Sequence, residues 1–141
     1  MKEHDAPQLV PLLEHVTHTV GIWVERTFHD VGLTQAEAHV LVYLARHPDA
    51  TINDLHTSFG HKRSTLTSLL DRLEARGWLR RSAHPTSRRL VAIQLTDAGR
   101  AIGERVSEAV DAIEERIRAG IGSEAITGYI AVIHALEEEM K

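Results

Sequence analysis

The stretch HKRSTLTSLL at residues 61–70 sets two cations, Lys62 and Arg63, beside four hydroxyl side chains, Ser64, Thr65, Thr67 and Ser68. Side chains of these types suit contact with a polyanion. A cation offsets phosphate charge, while a short hydroxyl donates to phosphate oxygens or reads a base edge without blocking close approach. The same hydroxyls also suit the first turn of a helix, where Ser and Thr cap free N–H groups. Leu66, Leu69, Leu70 and Leu73 recur at helical spacing through and beyond the stretch, which gives it one apolar face and one polar face.

The charge around this segment is uneven. The chain carries −4 overall, yet residues 61–90 hold eight cations against Asp71 and Glu74, a net +6 that leaves −10 for the rest. Lys62, Arg63, Arg72, Arg88 and Arg89 are the cations expected to supply most of the attraction. An acidic body with one cationic segment fits a protein that meets polyanions through a single surface.

Composition bounds the rest. With 141 residues, 43% hydrophobic and 26% charged, the chain has room for one soluble domain, or a small one with extensions. It contains no Cys, so disulfides and thiolate chemistry are excluded and a metal site would rest on His, Asp and Glu. The opening MKEHDAPQ lacks a leader pattern and no apolar run is long enough to cross a bilayer, so a cytoplasmic protein without a membrane partner is expected.

Periodicity predicts the elements that must position the cationic segment. Leu9, Leu12, Leu13, Val16, Val20, Trp23, Val24, Phe28 and Val31 mark a long first helix over Gln8–Val31, with Leu12, Val16 and Val20 in its buried stripe and Gly32 as its stop. Thr34 with Glu37 reads as a capping box opening a second helix that ends near His47-Pro48. Thr51 caps a short third helix to Phe59, Gly60 breaks it, and a fourth runs to Arg76. The period then changes. WLRRS and RLVAIQL read as two strands around a turn-rich AHPTSR, with one face of the hairpin packed inward. Thr96 caps a long helix to about Gly120, and Ser123 starts a last one. The predicted fold is mainly α, with a winged helix-turn-helix at 32–96 and long terminal helices at 1–31 and 97–141.

A short helix, a turn through Gly60 and a second helix of about four turns make a helix-turn-helix, whose second helix can enter the major groove of B-DNA. The hairpin, with Arg88 and Arg89 near its tip, can reach the narrow minor groove, where negative potential is enhanced. Two adjacent elements of the same charge sign, suited to two grooves, point to a winged helix that reads double-stranded DNA.

The sequence here resembles the MarR (multiple antibiotic resistance regulator) family. The resemblance covers nearly the whole chain and rests on LTQAEAHVLVYLARHP, INDLHTSFGHKRSTLTSLLDRLEARGWLRR and SRRLVAIQLTDAG. Within them lie the spaced Leu70, Leu73, Glu74, Gly77 and Trp78, and the closing Leu95-Thr96-x-x-Gly99. The resemblance implies a homodimeric DNA-binding repressor of a pseudo-palindromic operator, released by a small aromatic or anionic effector. The terminal helices would form the dimer interface, an arrangement their excess of apolar face supports independently. It places Lys62, Arg63, Ser64, Thr65, Thr67 and Ser68 in the major groove and Arg89 at the wing arginine of the minor groove. The chain departs from the family pattern at Ser87, where the family carries an acid, and at His56 and His61, where smaller or apolar residues are usual.

Ten histidines raise a metal- or proton-responsive alternative. His15 and His18, three residues apart on one helix face, have ligand spacing, but surface histidines on a helix are ordinary, and no metal or cofactor is expected. For the effector, the residues that bring rings and polar tips to the junction of terminal helices and winged helix are His15, His18, Trp23, His39 and Tyr43. An enzyme is not expected, because the chain carries no nucleophile elbow, phosphate-cradling glycine loop or His-Glu-x-x-His. A winged helix serving only protein contact is the remaining alternative, and it would not need arginines on the wing.

Overall fold

The computed structural model describes residues 8–141. The leaderless stretch read at the N-terminus, and the first seven residues assigned to the terminal helices, lie outside the described residues. The elements follow in the order α1 (Leu9–Thr27), a 3-10 turn (His29–Val31), α2 (Gln35–Arg46), α3 (Ile52–Phe59), α4 (Arg63–Ala75), β1 (Leu79–His84), β2 (Ser87–Leu95), α5 (Asp97–Gly120) and α6 (Ser123–Glu139). The chain forms two compact units that part between Glu104 and Arg105. No single helix among the described residues is long and apolar enough to cross a membrane.

The first unit is built around leucines. Leu41, Leu44, Leu55, Leu66, Leu69, Leu70, Leu73 and Leu79 are each at most 2% exposed, so α2, α3, α4 and the hairpin base close on one core. Phe28 and Val24 bring the end of α1 onto it, and Leu33 seals the α1–α2 junction. Burial of a leucine contributes about 1.5–3 kcal/mol, so the four on α4 fix which way its polar face looks. Thr51 and Asp54 form a reciprocal capping box at the start of α3, with Asp54 Oδ2 accepting from the Thr51 N–H at 2.7 Å. The backbone and side-chain bonds from Thr51 hold the Asp54 carboxyl below its ordinary range. At the turn between α3 and α4, Gly60 takes φ 63°, a left-handed conformation natural to glycine and costly for other residues.

Four expectations are corrected. The first helix does not run unbroken to Val31: it ends at Thr27 and a 3-10 turn follows, because Phe28 leaves helical geometry as its ring turns into the core. Leu12, Val16 and Val20 are not a buried stripe but are 53%, 49% and 42% exposed within the chain. Thr34 accepts from the Glu37 N–H at 3.2 Å, yet the return half of that capping box is missing because the Glu37 carboxylate is turned to Arg76. The wing's turn is also narrower than AHPTSR, with only Pro85 and Thr86 between the strands.

Strands β1 and β2 pair antiparallel from Leu79–Leu95 to Ala83–Val91, then the register jumps to His84–Ser87. Arg88, Arg89 and Leu90 have no partner in this ladder, and such a bulge re-aims side chains at the end of a ribbon. Ala92 and Ile93 are both buried although they alternate in direction. A third, one-residue strand lies beside them: Thr51 bridges Ala92, and the Ile93 N–H donates to the Ala50 carbonyl, so the second edge of β2 is paired there.

In the second unit, Val106 on α5 is buried, whereas Ile117, Ile121, Tyr129, Ile130, Val132 and Met140 are exposed and α6 has no buried residue.

Candidate nucleic-acid interface

Helix α4 divides cleanly. Leu66, Leu69, Leu70 and Leu73 are buried, while Lys62, Arg63, Ser64, Thr65, Thr67, Ser68 and Arg72 are exposed on the other side. Lys62 is the N-cap residue, and no side chain caps the helix. The hydroxyls are therefore not serving as the cap, and the first-turn N–H groups of α4 remain available to an anion. Arg63 is steered sideways, its Nη2 donating to Asn53 Oδ1 of α3 at 3.4 Å.

Not every cation in the basic segment faces outward. Arg81 on β1 donates to both acids of α4, Asp71 and Glu74, the latter at 3.1 Å. These two bonds raise the Arg81 pKa, Glu74 contributing most, and they clamp the hairpin base to α4. Arg76 is used inside the protein. Its Nη1 donates to Glu37 at 2.9 Å and to the Gly32 carbonyl at 3.2 Å, its Nη2 to the Val31 carbonyl, and its guanidinium lies 3.8 Å from the Trp78 ring centre. Arg72 stands 3.8 Å from the same Glu37 carboxylate but is 59% exposed, so it still faces solvent. Arg88 and Arg89 are exposed in the wing bulge. Ser87 steadies only the backbone, its Oγ accepting from the Arg89 N–H at 3.3 Å.

One feature of the surface was not legible in the sequence. A cleft of about 260 Å³ lies where the start of α3, the start of α4 and the wing meet, lined by Thr51, Ile52, Asn53, Arg63, Arg89, Leu90 and Val91. The Thr51–Ala92 bridge brings those segments together. A basic pair 26 positions apart carries no local periodicity that would have announced it.

The five residues read as effector contacts fall into separate surroundings. His15 and His18 are exposed on α1. Trp23 meets Phe28 edge-on at 6.1 Å and lines an open cavity of about 500 Å³ with Thr19, Ile22, Arg26 and Thr27. His39 and Tyr43 instead join a ring cluster around Phe59, at 5.5 and 5.4 Å, with His61 on Phe59 and His47 stacked on Tyr43 at 4.2 Å. His56 sits half-buried, with its Nδ1 enclosed and unpartnered. Among the described residues, no group of three or more His, Asp or Glu side chains is placed to hold a metal ion.

Burial of its ring against Phe59, and secondly the charge of His61, hold the His39 imidazole below its ordinary 6.5. The unfolded chain therefore binds a proton at His39 more readily than the folded one. Stability falls as pH drops through 6.5 and levels off below the folded value. Thermal unfolding of the wild type and His39→Asn at pH 7.5 and 5.5 checks this. The wild type is expected to lose a few degrees more on acidification, and equal losses would remove His39 from the account.

Comparison with known proteins matches this geometry. The MarR family model matches residues 33–91, the segment from the start of α2 into β2. The transcriptional regulator PecS of Dickeya dadantii is 32% identical, over 94% of this chain and 81% of its own. Among solved structures, the MepR–DNA complex of S. aureus superposes with a TM-score of 0.84 at 20% identity, covering 96% of this chain and all of that one. FabT of Streptococcus pneumoniae in complex with DNA gives 0.79 at 23% identity, covering 94% and 97%. The fold is that of these winged-helix regulators.

Proposed function

The chain belongs to the MarR family of transcription regulators, and on that premise we propose that it is a homodimeric repressor reading a pseudo-palindromic operator. The observation that carries this reading is the two-sided α4, whose four buried leucines hold Lys62, Arg63, Ser64, Thr65, Thr67 and Ser68 outward beside a wing bearing Arg88 and Arg89. In this reading α4 enters the major groove. Ser64, Thr65, Thr67 and Ser68 meet base edges, and Lys62, Arg63, Arg72, Arg88 and Arg89 meet phosphates or the minor groove. Arg76 and Arg81 are excluded from it because both are engaged within the protein.

Dimerisation is assigned to residues 1–31 and 97–141, with 32–96 as the reading domain. What supports this is the exposed apolar surface: Leu9, Leu12, Val16, Val20 and Ile22 on α1, and separately Ile117, Ile121, Tyr129 and Ile130 in the second unit. Patches of that kind are characteristic of surfaces that a second chain covers. Twofold symmetry would set the two recognition helices about 34 Å apart, one turn of DNA. A small aromatic or anionic effector that releases the DNA suits the Trp23 cavity, where an indole face lies beside Arg26; His15, His18, His39 and Tyr43 are the further candidates. The site of action is the cytoplasm, with the DNA.

Fluorescence anisotropy against the DNA upstream of its own gene and a shuffled duplex, across a salt series, tests the reading. Tight binding to the upstream duplex with a steep fall of log K on log salt is expected. Equal binding to both duplexes would reduce the protein to a non-specific DNA binder at that locus, and no salt-dependent binding to either would overturn the proposal.

A further inference from the structure

The wing reaches its tip with little of the sheet left to hold it. The ladder stops at Ala83–Val91, resumes for one pair at His84–Ser87, and leaves Arg88, Arg89 and Leu90 without partners. Both arginines are exposed, and among the described residues neither has a carboxylate partner. The direction of their guanidinium groups therefore depends on the backbone of the tip. A backbone that is not held beforehand must be ordered when DNA arrives, at a cost in conformational entropy that weakens binding.

Two side chains brace that backbone. His84 is half-buried at the end of β1, and its Nδ1 accepts from the Thr86 N–H at 3.3 Å and lies 3.1 Å from the Thr86 hydroxyl. Beyond the turn, Ser87 Oγ accepts from the Arg89 N–H at 3.3 Å. In each case a side-chain acceptor takes the N–H two residues on, the bond by which Asn, Asp and Ser imitate a backbone turn. Histidine can do this only through a bare nitrogen. A backbone N–H can only donate, so Nδ1 is the unprotonated atom and the ring proton sits on Nε2. His84 thus acts here through an acceptor and not through a charge. Pro85, enclosed by the first of these bonds, removes a further freedom because its ring fixes φ. With the His84–Ser87 pair between them, the two side-chain turns hold the chain from His84 to Arg89.

We propose that His84 is a positioning residue for DNA recognition: the His84–Thr86 turn, followed by the Ser87–Arg89 turn, sets the wing tip so that Arg89 is presented to the minor groove before DNA binds. This rests on the DNA-binding reading above and adds a residue that it leaves out. It also gives a task to Ser87, which stands where the family carries an acid: the hydroxyl holds the arginine's backbone. A histidine beside wing arginines has a simpler use, as one more cation against phosphate. The two roles rank substitutions in opposite order. Asn offers an acceptor in the place of Nδ1 and favours a turn before proline, but carries no charge. Lys carries the charge and has no acceptor.

Two measurements on the full chain test it. In the first, His84→Ala, His84→Asn and His84→Lys are titrated by fluorescence anisotropy with the upstream and shuffled duplexes across a salt series, alone and combined with Arg89→Gln. His84→Ala is expected to weaken binding to the upstream duplex by about two- to tenfold per half-site, the worth of one ordinary hydrogen bond. Asn should restore wild-type affinity and Lys should not, judged at the high-salt end, where an added surface charge counts least. Combined with Arg89→Gln, His84→Ala and His84→Asn should change affinity by less than about twofold, because the residue they position is gone. Restoration by Lys and not by Asn makes His84 a phosphate contact, and an undiminished loss beside Arg89→Gln means that it does not act through Arg89. Either overturns the proposal, as does wild-type affinity in His84→Ala. In the second, amide exchange at Thr86 is followed without DNA. It should quicken in His84→Ala and return to the wild-type rate in His84→Asn; an unchanged rate overturns the brace even if DNA binds. A wild-type chain that binds neither duplex overturns the DNA reading, and the role assigned to His84 with it.

Discussion

Gly99→Ala is expected to destabilise the winged helix by about 3 kcal/mol or more, above the usual 1–3 kcal/mol of an overpacked site. A Cβ on Gly99 would stand 1.9 Å from the Trp78 carbonyl oxygen and 2.7 Å from its carbon, so backbone would have to move and no flexible side chain could absorb the contact. The approach is close because α5 starts directly against the end of α4. The Thr96 N–H donates to that same Trp78 oxygen at 3.1 Å, the Thr96 hydroxyl donates to the Gly77 carbonyl at 2.6 Å, and the Gly99 N–H donates to Thr96 Oγ1 at 3.1 Å. Moving the helix out to accommodate a methyl group would strain all three. Thermal unfolding should show a midpoint lower by at least ~10 °C, taking about 4–8 °C per kcal/mol for a unit of this size. Gly128→Ala is the control: it has open space around its Cβ position and lies inside α6, so it should be neutral or stabilising by up to about 1 kcal/mol. A Gly99→Ala midpoint matching wild type would refute the close packing.

The second large effect concerns the latch between the recognition helix and the α1–α2 junction. Glu37 is 4% exposed, the one buried charged residue among those described, and Arg76 at the end of α4 is its main partner. Arg76→Met would leave the carboxylate with only Arg72 at 3.8 Å, free the carbonyls of Val31 and Gly32, and remove the guanidinium from Trp78. Removing one partner of a buried ion pair costs about 3–5 kcal/mol, but the Arg76 side chain is 32% exposed and water can reach the site. About 2–3 kcal/mol is the expected loss. Glu37→Gln should cost about 1 kcal/mol, because an amide oxygen still accepts from Arg76 and no charge is left buried. Urea unfolding of the two variants measures the asymmetry, and a Glu37→Gln cost equal to or above that of Arg76→Met would contradict the latch. DNA affinity should fall in Arg76→Met as well, through the loosened end of α4.

The winged helix was readable because its signals are local. The leucine period of α4, the Thr51 and Thr96 caps, Gly60 at the turn and the change of period after Gly77 each act within a few residues, and each appears where the sequence indicated. Errors arose where a local signal met a distant partner. Glu37 has the right spacing for a capping box with Thr34, but an arginine 39 positions away holds its carboxylate more strongly than one backbone N–H could. Leu12, Val16 and Val20 have the period of a buried stripe, and periodicity reports an apolar face without saying which surface covers it. The +6 segment was real as a count, yet Arg76 and Arg81 are engaged inside the first unit and only the remaining cations face outward.

What the sequence by itself determined, then, is the order of elements, the family, and the face of α4 that looks outward, because helical period, caps and turn glycines are properties of neighbouring residues. Tertiary structure alone decided which cations are spent within the protein, that Phe59 gathers His39, Tyr43 and His61, and that Arg63 and Arg89 line one cleft. These depend on register and on a one-residue bridge from Thr51 to Ala92. A contact between residues dozens of positions apart is set by how the leucine core packs, and no local pattern encodes it.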